Sequence, residues 1–277
     1  MKYVVAVSGG VDSVVLLNML AKNTGNEVVI AHFEHGIRGK SSEADARFVK
    51  ALANKYGVVC EIGIGALGPN ASEEMARTKR YEFLKLVALK YGGQLVTAHH
   101  QNDLIESIAI NLSRGTGWRG LAVFGDTSIE RPLLHMTKSE IYEYALAHNL
   151  EWVEDETNTT DAYLRNRLRR KLALLDATKQ QQLIELYERQ MEIKKLITEQ
   201  ASQFPLTSRY FLTMVEEQVA VELLQALLAR EGTSLTRPQR KRLLLAIKTA
   251  KAGDIFQAGS NISVQFTQRE FIVNSPL

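Results

Sequence analysis

The sequence predicts an α/β fold: a doubly wound parallel sheet followed by a smaller, mostly helical C-terminal part. Three observations carry this expectation. Up to about residue 155, short β-branched runs alternate with amphipathic helical stretches. A glycine turn, Ser8-Gly9-Gly10-Val11-Asp12-Ser13, joins the first such run to the first helix. Polar clusters follow the apolar runs at residues 8–13, 32–39 and 99–106, where parallel sheets bind ligands.

The elements follow in order. Strands are expected at residues 3–7, 28–33, 58–64 and 95–98, with 152–153 as a short fifth. Helices are expected at 14–22, 42–56, 73–91, 103–113 and 138–149. Beyond residue 176 the pattern turns helical, at 180–203, 219–231 and 238–250, and two alternating runs, 262–266 and 270–273, read as a hairpin. The expected division is a catalytic domain over 1–172 and a helical domain ending in a short β-hairpin over 173–277.

Composition narrows the class. No apolar stretch has membrane-spanning length, and Ser8-Gly9-Gly10 and Asp12 interrupt what a signal peptide would need. A cytoplasmic enzyme fits. Cys60 is the single cysteine, which excludes an internal disulfide, a cysteine zinc site and an iron–sulfur cluster within one chain. The net charge of +3 conceals local basic patches.

The glycine turn is the most informative stretch. Glycines permit positive φ and close backbone approach, and the turn feeds N–H groups into a helix N-terminus, a ready anion site. Ser8 and Ser13 add hydroxyls. Asp12 is an acid where an anion site should not want one, unless a divalent cation is shared with the phosphates. A plain turn capped by Asp or Ser explains Gly-Gly alone but not the whole hexapeptide at the end of the first strand. The Lys-Ser/Thr of the kinase-type phosphate loop is missing. The hexapeptide resembles instead the loop of the N-type ATP pyrophosphatases, which cleave ATP between its α- and β-phosphates.

Other candidates lie along the same expected edge. His32, Glu34 and His35 alternate across a strand end, so they make a poor metal set, and Arg38 in the loop suits a nucleotide or RNA backbone. Arg77 and Arg80 share a helix face with Tyr81; pairing with Glu73 and Glu74 on the surface is the plain alternative. A helix starting near His99 would put His99, Asp103 and Glu106 on one face. Such a set can hold an ammonium group, bind magnesium or move a proton, although acids in a first turn also serve as caps. Arg114-Gly115-Thr116-Gly117-Trp118-Arg119-Gly120 reads as a basic loop.

Residues 163–171 carry five cations and no acid, with Arg165, Arg167 and Arg169 among them. A solvated helix would mix in acids, so RNA phosphates are the expected partner. A second acid-free patch includes Arg237, Arg240, Lys241, Arg242, Lys248 and Lys251.

Together these motifs resemble the tRNA(Ile)-lysidine synthetase family of the PP-loop superfamily. The resemblance rests on the phosphate loop, His32-x-x-His35-Gly36-x-Arg38-Gly39, Ala76-Arg77-x-x-Arg80-Tyr81, Ala98-His99-His100-x-x-Asp103-x-x-Glu106 and Arg114-Gly115-Thr116-Gly117. Arg131-Pro132-Leu133-Leu134, Glu154-Asp155-x-Thr157-Asn158 and the arginine tract from Tyr163 continue it in order. It is close over residues 3–172 and loose afterwards, which suits a short form with one appended helical domain.

The resemblance implies ATP, Mg2+, L-lysine and a tRNA(Ile) with the anticodon CAU. The wobble cytidine would be adenylated and then joined to lysine, giving lysidine and changing the codon read from AUG to AUA. Ser8, Gly9, Gly10, Val11, Asp12 and Ser13 would hold ATP, with Asp12 also near the metal. Asp103 and Glu106 would bind lysine, while Arg80 and His99 would act with Asp12 on the reacting groups. Arg38, Arg114, Arg165, Arg167 and Arg169 would contact RNA. No membrane partner is implied, and a homodimer is compatible.

Three rivals share part of this pattern. A tRNA thiolase of the same superfamily needs cysteines beyond Cys60. A small-molecule amide ligase needs no arginine tract. A non-catalytic tRNA-binding module does not explain Asp12, Asp103 and Glu106, which repel phosphates unless a metal or amine intervenes.

Overall fold

The computed structural model describes residues 1–34, 40–65, 73–126, 128–154, 172 and 175–274. Two compact units divide the chain, Met1–Glu188 and Arg189–Leu277.

The first unit contains a five-stranded sheet in the order β3-β2-β1-β4-β5. Its strands are β1 (Lys2–Ala6), β2 (Glu27–Glu34), β3 (Val59–Ile64), β4 (Gln94–Val96) and β5 (Ile129–Glu130), and every pairing is parallel. The helices are α1 (Val11–Ala21), α2 (Lys40–Tyr56), α3 (Glu73–Tyr91), α4 (Gln101–Ser113) and α5 (Lys138–Ala147), with a 3₁₀ turn at Trp118–Leu121.

Side-chain alternation along the strands fills two cores. Val5, Val28, Ile30 and Val96 face one side, where they join Val14 and Leu17 of α1, Val49 of α2 and Ile141 of α5. Val4, Val29, Ala31 and Leu95 face the other, against Leu84 and Val87 of α3. Helix α1 is apolar over its whole middle because Val14 through Leu17 are all buried.

The expected doubly wound parallel sheet is present, with one reassignment. Trp152 and Val153 are not a strand; Val153 makes a backbone hydrogen bond to Gly9 O at 3.0 Å and no sheet ladder. The fifth strand is β5, upstream of α5, and its two residues are too few to show a period. This matters for function, because it makes the start of α5 follow a strand and so brings it to the carboxyl edge.

The second unit contains α7 (Arg209–Met214), α8 (Glu217–Arg230), α9 (Arg237–Thr249) and an antiparallel sheet β6-β7-β8. The unit boundary falls inside α6 (Ala177–Ala201). The expected hairpin is β7 (Ile262–Phe266) with β8 (Phe271–Asn274); a third strand, β6 (Ile255–Gly259), extends it. Leu224 and Leu228 of α8, Leu243 and Ile247 of α9, and Val264, Phe266 and Phe271 of the sheet build its core. Part of the basic patch on α9 is internal to the unit. Arg240 is buried and donates to Gln225 and to Leu235 O, and Lys241 pairs with Glu217 at 2.8 Å. Arg237, Arg242, Lys248 and Lys251 remain exposed.

Among the described residues no helix is long and apolar enough to cross a membrane.

Candidate active site

The strand order reverses between β1 and β4, and a parallel sheet opens a ligand crevice at such a switch point. The segments leaving those two strands are the glycine turn and the His99–Glu106 cluster.

Gly9 has φ +98°, a conformation that side chains rarely adopt. Ser13 holds the turn together. Its hydroxyl accepts from the N–H groups of Ser8 and Gly9, each at 3.2 Å, and donates to Gly10 O at 2.9 Å. Ser13 is buried, so its hydroxyl shapes the loop, whereas Ser8 is exposed.

Three helices begin around this loop. Lys138, first residue of α5, places Nζ 2.6 Å from Asp12 Oδ1 in the first turn of α1. The Lys138 backbone N–H donates to Asn102 Oδ1 of α4 at 3.0 Å, and Gln101 N donates to Met136 O at 2.9 Å. His100 Nε2 lies 3.8 Å from Asp12 Oδ1. The positive ends of three helices therefore meet at one place.

Their N-termini differ in one respect. Helix α4 has a capping box between His100 and Asp103, and α5 has one between Thr137 and Glu140. Helix α1 has Gly10 at its N-cap and no side-chain cap, which leaves its first-turn N–H groups for an external anion. A phosphate group is one anion that such an opening can hold.

Among the described residues no group of three or more His, Cys, Asp or Glu side chains is arranged to hold a metal. Asp12 still fits magnesium of the kind nucleotides carry, which takes one or two carboxylates and completes its shell with phosphate and water oxygens.

The second cluster is arranged differently from the sequence expectation. Helix α4 starts at Gln101, so His99 precedes it and does not share its face. Asp103 Oδ2 accepts from the His100 backbone N–H at 3.1 Å, and Glu106 is buried one turn further on. His100 Nδ1 accepts from Asn102 N at 3.2 Å, so the cap requires His100 with Nδ1 unprotonated.

His99 is half-buried and electrostatically crowded. Its pKa is pushed down to about 4, first by burial and then by Arg131, Arg77 and Arg80, while Asp103 opposes the shift. The imidazole is therefore neutral at pH 7. Its ring packs on Phe124 with centroids 4.9 Å apart, and the Arg131 guanidinium lies 5.0 Å from the same phenyl ring. Phe124 has φ +54°, a strained value for this residue type, and Arg131 donates to Phe124 O at 3.1 Å. Arg77 and Arg80 lie 5.2 and 5.4 Å from the Tyr81 ring centroid.

Arg114 ends α4 and is exposed. Arg38, Arg165, Arg167 and Arg169 lie outside the described residues. Lys138, Thr97, Asn102 and Phe124 join the site in the structure without a motif of their own in the sequence. The Thr-x-x-Glu spacing of Thr137 and Glu140 is a pattern from which this helix start could be read, but only β5 upstream of it ties that start to the carboxyl edge.

Residues 1–175 match the PP-loop domain family. The tRNA(Ile)-lysidine synthase of Thermotoga maritima is 39% identical over 183 residues, covering 62% of this chain and 44% of that protein. That of Exiguobacterium sibiricum is 36% identical over 213 residues, 70% of this chain and 50% of the relative. That of Bacillus subtilis is 35% identical over 211 residues, with coverages of 71% and 44%. The chain thus spans half or less of the length of these relatives. Among solved structures, a U34-tRNA thiolase from Methanococcus maripaludis, with its [4Fe-4S] cluster, aligns with TM-score 0.60 and 18% identity, over 69% of this chain and 73% of that one. That likeness concerns the fold alone.

Proposed function

The chain belongs to the PP-loop family, and from that premise we propose that it is an ATP-dependent ligase joining L-lysine to the wobble cytidine of a tRNA(Ile) with anticodon CAU. The cytidine carbonyl oxygen attacks the α-phosphorus of ATP and pyrophosphate leaves. The lysine ε-amine then displaces AMP, forming lysidine, and the anticodon reads AUA in place of AUG.

The observation that carries this reading is the uncapped start of α1 beside Asp12 and Lys138, within the same edge as His99, Asp103 and Glu106. Ser8 and the backbone of Gly9, Gly10 and Val11 hold the phosphates, and Ser13 keeps the loop in shape. Magnesium bound at Asp12 would screen phosphate charge during displacement. Neutral His99 and cationic Arg80 polarise the reacting groups, and the carboxylates of Asp103 and Glu106 receive the lysine ammonium. Arg38, Arg114, Arg165, Arg167 and Arg169 contact the tRNA, together with the exposed cations of α9.

Pyrophosphate release measured with each reactant omitted tests this. The expected result is release that needs ATP and tRNA, with AMP and lysidine appearing only when lysine is added. Release with tRNA and no use of lysine would assign the protein to a different base-adenylating reaction; Cys60, the single cysteine, argues against a thiolase bearing a cysteine-held cluster. Tight tRNA binding with no pyrophosphate would leave a non-catalytic RNA-binding module.

A further inference from the structure

We propose that Thr97 is a positioning residue that fixes His99 as its Nε2–H tautomer, so that His99 meets the reacting group as a neutral hydrogen-bond donor and not as a base. This deepens the reading above by assigning the chemical role of one site residue.

Thr97 sits just past β4, where its backbone N–H donates to Glu130 O of β5 at 3.0 Å. Its side chain is buried, and its hydroxyl lies 2.9 Å from His99 Nδ1. No other hydrogen bond of this hydroxyl is formed among the described residues.

That isolation decides the direction of the bond. A hydroxyl has one proton and two lone pairs, and a buried donor left unpaired is costlier than a spare lone pair. If Nδ1 carried the proton, the hydroxyl would accept it and its own hydrogen would have no acceptor. If the hydroxyl donates, its proton is satisfied, Nδ1 is the acceptor, and the imidazole proton must sit on Nε2. Packing against Phe124 at 4.9 Å opposes a ring flip that would exchange the two nitrogens. Desolvation first, and then the nearby Arg131, Arg77 and Arg80 against the opposing Asp103, keep the second proton off the ring, which preserves the donor–acceptor distinction at neutral pH.

A neutral N–H donor suits a site where negative charge develops on an oxygen, because it stabilises that charge without a bound proton to lose. Between arginines, a base would in any case be a weak proton acceptor.

The test begins with the wild-type full-length protein, labelled with ¹⁵N, whose imidazole signals report the tautomer of each histidine. His99 is assigned by comparison with His99→Gln. The expected spectrum shows His99 protonated on Nε2 alone. Thr97→Val removes the hydroxyl at nearly constant shape and should give a mixture of tautomers; Thr97→Ser should keep the wild-type pattern. In AMP-forming turnover, Thr97→Val should lower kcat about tenfold with little change in the KM for ATP, and Thr97→Ser should restore it. A wild-type His99 protonated on Nδ1 overturns the proposal, as does a Val variant with unchanged tautomer; if that variant fails to fold, the wild-type spectrum decides alone. The spectrum needs no substrate, so an enzyme that ignores lysine refutes the proposed function while leaving the role of Thr97 standing.

Discussion

Lys138 and Asp12, 126 residues apart in sequence, form a 2.6 Å ion pair between the first turns of α5 and α1. Lys138 also lies 5.1 Å from the Tyr142 ring centroid, which gives its ammonium a second favourable contact. The pair neutralises the one acid of the phosphate loop. On the proposed function, ATP would offer both partners new counterparts, phosphate oxygens for Lys138 and a cation for Asp12, so that nucleotide binding would rearrange this charge balance.

Asp12→Ala should abolish ATP-dependent adenylation while tRNA affinity stays within a few-fold. The reason is local: Asp12 lies in the first turn of the helix whose uncapped N-terminus is the proposed phosphate site. Pyrophosphate release and tRNA binding measured on one preparation check this. Near-normal AMP formation would remove Asp12 from the nucleotide site.

Lys138→Met keeps the aliphatic stem and deletes the charge. A charge-assisted bond to a phosphate is worth about 1.5–3 kcal/mol, so the KM for ATP should rise roughly 10–150-fold. If Lys138 served only to neutralise Asp12, the double variant with Asp12→Asn would recover nucleotide affinity. We expect no recovery, and ATP titration of the three variants decides.

The legibility of this site followed the length of its elements. The helix at Glu73–Tyr91 and the glycine turn at Ser8–Ser13 are plain from residue pattern, because nineteen residues carry several periods and the whole hexapeptide, unlike Gly-Gly alone, asks for more than a capped turn. The two-residue strand at Ile129–Glu130 has no period to read, and the apolar pair Trp152–Val153 took its place. That one misplacement hid Lys138, whose position at the ligand edge depends on β5 preceding α5. A helix starting near His99 puts that residue on the face of α4, but His100 takes the cap, a role histidine seldom signals in sequence. Contacts such as Thr97 with His99 and Phe124 with Arg131 depend on side-chain packing around strand ends, which no spacing rule encodes.

His99 should make the protein sensitive to mild acid. Its pKa falls from an ordinary 6.5 to about 4 on folding, so between these values the unfolded chain binds the extra proton. Stability from this group therefore rises with pH across that window and is lost on acidification from about 6.5, by up to roughly 3 kcal/mol at pH 4. Asp126, Glu140 and Glu217 have lowered pKa values and add losses below the usual carboxylate range, so the comparison must be a difference. Denaturation of wild type and His99→Gln at pH 7 and pH 4.5 isolates the effect: the wild type should lose more. Parallel losses would show that His99 is not held neutral.

Replacing Arg165, Arg167 and Arg169 together by Gln should weaken tRNA binding and flatten its salt dependence. Each lost phosphate contact lowers the log–log slope by about 0.7–0.9. Titrations at several salt concentrations measure that slope directly. A slope equal to that of the wild type would mean these cations face solvent in the complex.

The amine site separates lysine ligation from other base adenylation. Glu106 is 2% exposed, and Asp103 lies one turn before it on α4, already accepting from the His100 backbone at 3.1 Å. Glu106→Gln removes a charge at nearly constant shape. Loss of one charge-assisted hydrogen bond, about 1.5–3 kcal/mol, should raise the lysine KM roughly 10–150-fold. The KM for ATP should move much less, and adenylated tRNA should accumulate because only the second step needs the amine. Asp103→Asn should additionally destabilise the start of α4, since its carboxylate completes the cap. The two KM values, measured on one preparation, distinguish the roles. A shift in the ATP value with an unchanged lysine value would mean that Glu106 serves the metal or the nucleotide, and the amine would have to be held elsewhere.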